Sequence, residues 1–261
     1  MMKLQKNVSL KKYTTFKIGG PAKYFFVAKN KSDLLKAVQE AKKRRLPVFV
    51  LGGGSNVLFP DKGYRGLVIK FQNLKLSQLV NSGLEWAAGI PGTVTGAIWG
   101  NAGAFGKSMK DVVKKVEVFD VKNEKIKILN NKDCRFGYRD SIFKKNHDLI
   151  ILSAEIKQKK SDPQEIKKCL AHRRKTQPLS FPSAGSVFKN PPGFSAGELV
   201  EKCGLKGKKI GGAQISDIHS NFIVNLGGAK AQDVLSLIKL VKKTVNKKFK
   251  IKLEEEIIVL K

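Results

Sequence analysis

Cysteine, arginine and acidic side chains are all scarce in this 261-residue chain. Its three cysteines, Cys134, Cys169 and Cys203, are an odd number with no CxxC spacing, which removes a disulfide framework and a cysteine zinc site from consideration and fits a reducing compartment. No stretch approaches the ~18 apolar residues of a membrane span. The N-terminal MMKLQKNVSLKKYTTF has no apolar run of the signal-peptide kind, so a soluble, cytoplasmic protein is expected. Asp and Glu number 21 against 51 Lys and Arg, a formal net charge of +30. That excess invites a nucleic-acid reading, but only seven of the basic residues are Arg, and Lys is spread over every segment. Base reading and phosphate forks favour Arg, and single-strand surfaces interleave it with aromatics, so non-specific attraction to polyanions is the most the charge supports.

What is present is a globular composition, 41% hydrophobic and 28% charged. A compact chain of this size buries roughly 73% of its unfolded surface, enough for a large core. Strand and helix signals alternate, which predicts a mixed α/β (α+β) chain. Ser32 can cap a helix carrying Leu34, Leu35, Val38 and Ala41 on one face. A strand from Val48 to Leu51 and an apolar run from Gly66 to Ile69 follow, then a short polar connection over residues 71–83. Val116–Val121 and Leu149–Ile156 read as strands, and Pro163 opens a helix reaching about Lys175. The final third has helices near Ala196–Cys203 and Lys230–Lys247, a strand Asn221–Asn225, and a last strand Leu253–Leu260 carrying Glu254, Glu255 and Glu256.

Two tracts are suited to phosphate. In LGGGSNVLF, Gly52, Gly53 and Gly54 follow a strand, so several backbone N–H groups can turn toward one anion, with Ser55 and Asn56 beside them. Taken alone, this is a tight turn, and no GxGxxG fingerprint opens a helix here. In GIPGTVTGAIWGNAGAFG, Pro91, Gly92 and Thr93 precede a short helix with Gly96, Ala97 and Gly100 inside it, then Asn101 and Gly103. Each helix glycine costs ~1 kcal/mol against Ala. Close approach of backbone to a bulky ligand would justify that cost, and close helix–strand packing would too. Together the two tracts favour a bound nucleotide cofactor.

YTTFKIGGPAKYF, LGGGSNVLF, GLEWAAGIPGTVTGAIWGNAGAFG, FGYRDSIF, QPLSFPSAGSVFKNP, AGELVEKCGLKG, IGGAQISDIHSNFIVN and LEEEI follow one another over nearly the whole chain. In this order they resemble the UDP-N-acetylenolpyruvoylglucosamine reductases, compact type. The resemblance implies a vanillyl-alcohol-oxidase-like flavoprotein fold: an FAD-binding module in two parts, residues 1–70 and 71–178, followed by a smaller substrate-binding domain over 179–261. It implies FAD as cofactor, held by Gly52, Gly53, Gly54, Ser55, Asn56, Pro91, Gly92, Thr93, Gly96, Asn101 and Gly103, with NADPH as hydride donor and no metal. The reaction implied is reduction of the enolpyruvyl group of UDP-N-acetylglucosamine enolpyruvate to UDP-N-acetylmuramate, in peptidoglycan precursor synthesis and hence cell-wall growth and division.

Hydride addition builds negative charge toward a carboxylate, which calls for preorganised cationic donors and one acid beside the neighbouring carbon. By resemblance, Arg139 stabilises the enolate, Ser186 donates the proton and Glu256 is the C-terminal catalytic carboxylate. Without the motif, Arg139 would pass for a surface arginine paired with Asp140. Tyr138, Lys189 and Asn190, with Gln214, His219 and Asn221, are the implied substrate contacts. A monomer with a UDP-sugar substrate, no specific nucleic-acid partner and no membrane is expected. Three departures are visible. Residues 71–83 are shorter than the family's strand–helix passage, Thr95 replaces a glycine where backbone would meet the ligand, and Glu255 stands where the family has proline. The shortening leaves a cofactor-poor relative as one alternative, and a related FAD oxidoreductase on another substrate as a second. A basic nucleic-acid-binding protein is the non-enzyme alternative.

Overall fold

A computed structural model describes residues 2–260. The chain forms two compact units, each assembled from non-contiguous pieces. The first contains residues 2–5, 25–53 and 66–172; the second contains residues 6–24, 54–65 and 173–260.

In the first unit, the helix Lys31–Lys43 buries Leu34, Ala37, Val38 and Ala41, the stripe that 3.6-residue periodicity demands. Its N-cap is Asn30, not Ser32: the Asn30 Oδ1 accepts the Asp33 N–H at 2.9 Å, so the helix begins one residue before Ser32. The strand Val48–Leu51 pairs in parallel with Leu67–Lys70. The strand Val113–Asp120 is central to an antiparallel sheet, flanked by Leu149–Ile156 and Lys125–Asn130. The unit's core gathers Leu76, Leu84, Trp86, Ile98, Met109, Val116, Val118 and Phe143.

Residues 71–83 are not a polar connection. Leu76–Ser82 forms a 3₁₀ helix that buries Leu76, Leu79 and Val80. A three-residue repeat places Leu76 and Leu79 on one edge, and Gly83 ends the turn at φ 91°. Just before it, the Val94 N–H donates to the Leu74 carbonyl at 2.9 Å, and the Leu76 N–H to the Gly92 carbonyl at 3.1 Å. The short passage therefore braces the Gly92–Val94 backbone directly.

In the second unit, four antiparallel strands run in the order Ser183–Ser186, Phe222–Asn225, Ala213–Ile215, Lys209–Ile210. The helix Ala231–Phe249 lays Val234, Leu237, Ile238, Val241 and Val245 into this unit's core with Phe16, Leu58 and Ile223. Both oxygens of Asp61 accept N–H groups at its start, from Ala231 at 2.8 Å and Gln232 at 3.1 Å. Leu253–Leu260 is not one continuous strand. Glu255 makes a single antiparallel bridge with Phe188, and only Ile258–Val259 pairs further, in parallel with Val57–Leu58. The chain changes partner between these two pairings, which a continuous ladder does not allow.

Candidate active site

In the first unit the two glycine tracts meet. A Cβ on Gly52 would lie 2.5 Å from Thr93 Oγ1, and one on Gly53 would lie 2.4 Å from Gly92 Cα. Glycine is therefore required at Gly53 for backbone-on-backbone packing, and at Gly52 to leave room for the Thr93 side chain. Packing explains Gly96 and Gly100 less well, since a Cβ at Gly100 would meet nothing and one at Gly96 only Thr93 Oγ1 at 3.3 Å. Four residues apart in the helix Val94–Gly100, they leave one strip of that helix without side chains. Thr93 caps this helix, its Oγ1 accepting the Gly96 N–H at 3.3 Å. Thr95 does not obstruct the strip: it is buried, its Oγ1 3.3 Å from that of Thr93.

The N–H groups of Gly53 and Gly54 meet no acceptor among the described residues, although Gly54 is buried. Gly54 sits at φ 69°, and a Cβ there would strike the Tyr13 carbonyl oxygen at 2.1 Å. Consecutive unspent donors in a left-handed turn suit an anion, and the bare helix strip suits a flat ring, so these residues fit FAD. Asn101 is committed elsewhere: its Nδ2 donates to the Gly137 carbonyl at 2.7 Å and its Oδ1 accepts the Lys110 N–H at 2.9 Å.

That first bond anchors the turn carrying Arg139. Gly137 and Asp140 exchange both backbone hydrogen bonds around Tyr138 and Arg139, and Arg139 is held at φ 52°. A non-glycine residue in this region carries strain that the surroundings must sustain. Here the Arg139 Nη2 donates to the Gly103 carbonyl at 2.8 Å, and the Lys144 Nζ to the Arg139 carbonyl at 2.7 Å. The guanidinium also lies 5.4 Å from the centre of the Tyr138 ring. Asp140 pairs with Lys145 at 2.6 Å, which holds its carboxyl below the usual range. Arg139 is thus not the surface partner of Asp140.

In the second unit, the later half of the glycine loop is tied to the other two candidate catalytic residues. The Thr15 N–H donates to the Gly54 carbonyl at 3.0 Å, and the Thr15 hydroxyl to the Ser183 carbonyl at 2.7 Å. Asn56 Nδ2 donates to the Glu256 carbonyl at 3.1 Å, and the Glu256 N–H to the Val187 carbonyl at 2.8 Å. Gly185, at φ 80°, breaks the register between Ser183 and Ser186, a bulge that re-aims the serine. Of the three consecutive acids, Glu254 pairs with Lys189 at 3.2 Å, and Glu255 with Lys242 at 2.9 Å to each oxygen.

The implied substrate residues divide into two groups. Tyr138 is exposed and Lys189 partly so, while Asn190 Oδ1 accepts the Ala196 N–H at 3.0 Å. Gln214 and Asn221 are buried, with their amides bonded to Gly207 and Asp217 and to Phe188. His219 Nδ1 accepts the Asn221 N–H at 3.2 Å. No group of three or more His, Cys, Asp or Glu among the described residues is placed to hold a metal. Sequence reasoning missed two residues. Thr15 joins Gly54 to Ser183, a long-range link with no local sign. Lys70 donates from Nζ to the Gly52 carbonyl, and burial pushes its pKa down. A lysine interrupting the buried run Leu67–Ile69 was its available signal.

Residues 22–82 match the family model described as FAD binding domain. With the unspent loop donors, this defines the class: the chain is a FAD-dependent oxidoreductase. Residues 177–260 match the C-terminal domain of UDP-N-acetylenolpyruvoylglucosamine reductase. The reductase of that name from Caldanaerobacter subterraneus subsp. tengcongensis is 43% identical over 282 residues, covering 98% of this chain and 93% of that protein. The one from Alkaliphilus oremlandii is 42% identical, covering 95% and 90%. The crystal structure of the Thermus caldophilus reductase covers all of both chains at 36% identity and a TM-score of 0.85. The chain belongs to the UDP-N-acetylenolpyruvoylglucosamine reductase family.

Proposed function

We propose that this protein reduces the enolpyruvyl group of UDP-N-acetylglucosamine enolpyruvate to UDP-N-acetylmuramate, with NADPH as reductant and FAD as carrier, in peptidoglycan precursor synthesis. The observation that carries this is near-full-length membership of the reductase family. Bound by the glycine loop and the helix strip, FAD would supply hydride-transfer chemistry between NADPH and the enolpyruvyl methylene carbon. Arg139 then holds the negative charge that develops toward the substrate carboxylate, its guanidinium already oriented by Gly103 and Tyr138. Ser186 gives its hydroxyl proton to the neighbouring carbon. A serine is a very weak acid, so this works only against a base as strong as a carbanion, and the hydroxyl must be set beforehand. Glu256, fixed through its backbone by Asn56 and Val187, supplies the carboxylate of this site. Gly52–Asn56, Pro91–Thr93, Gly96 and Gly103 hold FAD; Tyr138, Lys189 and Asn190 contact the UDP-sugar. The protein acts as a cytoplasmic monomer, without a specific nucleic-acid partner. No helix among the described residues is long and apolar enough to cross a membrane.

Ser186→Ala tests this reading. Flavin reduction by NADPH is expected to proceed at the parent rate, and reoxidation by the enolpyruvyl substrate to slow by about 100-fold or more. Equal loss in both half-reactions, or purified protein that is colourless and cannot be reconstituted with FAD, would overturn it.

A further inference from the structure

The sequence marks Asn221 as a ligand contact, yet its amide is spent on the strand that carries Ser186. The backbone ladder of that strand ends where Ser186 faces Phe222. One residue on, the Val187 N–H donates to the Asn221 carbonyl at 2.8 Å. The Asn221 side chain then takes over. Its Oδ1 accepts the Phe188 N–H at 3.0 Å, and its Nδ2 donates to the Phe188 carbonyl at 2.8 Å. A carboxamide presents an acceptor and a donor side by side, as a peptide unit does. Asn221 therefore makes the pair of bonds that an opposing residue makes in an antiparallel ladder. Asn221 is 4% exposed and Phe188 2%, so water cannot replace either bond. The Asn221 backbone is itself fixed, its N–H donating to His219 Nδ1.

We infer that Asn221 is a positioning residue for Ser186, acting through the backbone of Val187 and Phe188. Gly185 precedes the serine in a left-handed bulge with no side chain to restrain it. The hydroxyl is therefore set from its C-terminal side, where Asn221 grips one edge of the segment. On the other edge, the Glu256 N–H donates to Val187 and the Lys189 N–H to the Glu254 carbonyl. This inference rests on Ser186 being the proton donor.

The test is Asn221→Asp in the FAD-loaded enzyme, followed by stopped flow. At roughly pH 8 an ionised carboxylate still accepts the Phe188 N–H but opposes the Phe188 carbonyl. Flavin reduction by NADPH should stay within about 3-fold of the parent, and reoxidation by substrate should slow by about 100-fold, the scale of a 1 Å misplacement. Toward roughly pH 5.5 the carboxyl protonates and can donate again, so reoxidation should recover relative to the parent; Asn221→Ala should show no recovery. The Ser186→Ala/Asn221→Asp double variant should be no slower than Ser186→Ala. If Ser186→Ala leaves reoxidation intact, the serine reading itself falls. If Ser186→Ala slows it but Asn221→Asp does not, slows both half-reactions equally, or adds to the serine defect, positioning by Asn221 is wrong. Should Asn221→Asp not fold with FAD, Asn221→Gln, which keeps the amide but displaces it by one methylene, must give the same split between half-reactions; an even loss would overturn the inference.

Discussion

His219 shows how one half-buried side chain ties the site to pH. Its Nδ1 accepts the Asn221 N–H, so that nitrogen is unprotonated in the folded state. Burial holds its pKa below the ordinary 6.5, and nearby Lys206 pushes the same way, while a backbone bond and Glu201 oppose. As pH falls through 6.5, the unfolded imidazole takes up a proton before the folded one does. The unfolded state then binds more protons, and stability falls until the folded ring titrates as well. Carboxylates enter later, because Glu117, Asp140 and Glu201 are all held below their usual range by lysine partners. Between roughly pH 7.5 and roughly pH 5, the melting temperature of the parent should therefore fall, and that of His219→Phe should fall less steeply. Thermal melts at matched ionic strength check this. Equal slopes would mean that the ring is not held neutral by the fold.

The helix Val94–Gly100 separates two uses of glycine. Gly53 is required by packing, because its Cβ would lie 2.4 Å from Gly92 Cα, so Gly53→Ala should destabilise the protein with or without cofactor. Gly96 lies on the exposed strip, where an added Cβ meets only Thr93 Oγ1 at 3.3 Å. Ala gains up to ~1 kcal/mol of helix propensity there, so Gly96→Ala should leave the apoprotein's melting temperature level or raised. It should nevertheless weaken FAD binding about 10-fold or more, since it fills the face left bare for the ligand. Titration of apoprotein with FAD, beside apoprotein melts, distinguishes the cases; unchanged affinity would return Gly96 to packing. These elements also show what was legible in the chain. The stripe Val234, Leu237, Ile238, Val241 and Val245 announced its helix by spacing alone. Ser186 and Arg139 became visible only through motifs, because a turn serine and a surface arginine have no local mark of chemistry. The leucines of 76–79 follow a three-residue repeat that a search for 3.6-residue stripes passes over. Thr15 and the pairing of Ile258 with Val57 depend on residues far apart in the chain, which no window of sequence contains. The membership of residues 6–24 and 54–65 in the unit built by the C-terminal third is hidden for the same reason.

At the scale of the molecule, the charge of +30 is expected to act on the approach of anionic ligands. Pairs such as Lys31–Glu117, Lys42–Glu124 and Lys114–Glu155 use exposed or partly exposed acids, and 21 acids cannot neutralise 51 bases. The surplus lysines repel one another, and salt screens them over about 10 Å at 0.1 M. Added salt should therefore raise the melting temperature. The same field attracts NADPH and the UDP-sugar, both anions, so screening should lower their encounter rates. From roughly 20 mM to roughly 200 mM salt, kcat/KM for both should fall several-fold while kcat holds, because screening affects the approach more than the short-range contacts made once the ligand is bound. Heparin should compete at low salt and lose its effect as salt rises, without any sequence preference among nucleic acids. Steady-state kinetics across a salt series decide the matter. If kcat/KM stays flat while the melting temperature climbs, the lysines serve solubility alone; if kcat falls in step, salt is reaching the site itself, and Arg139 would be the first group to examine.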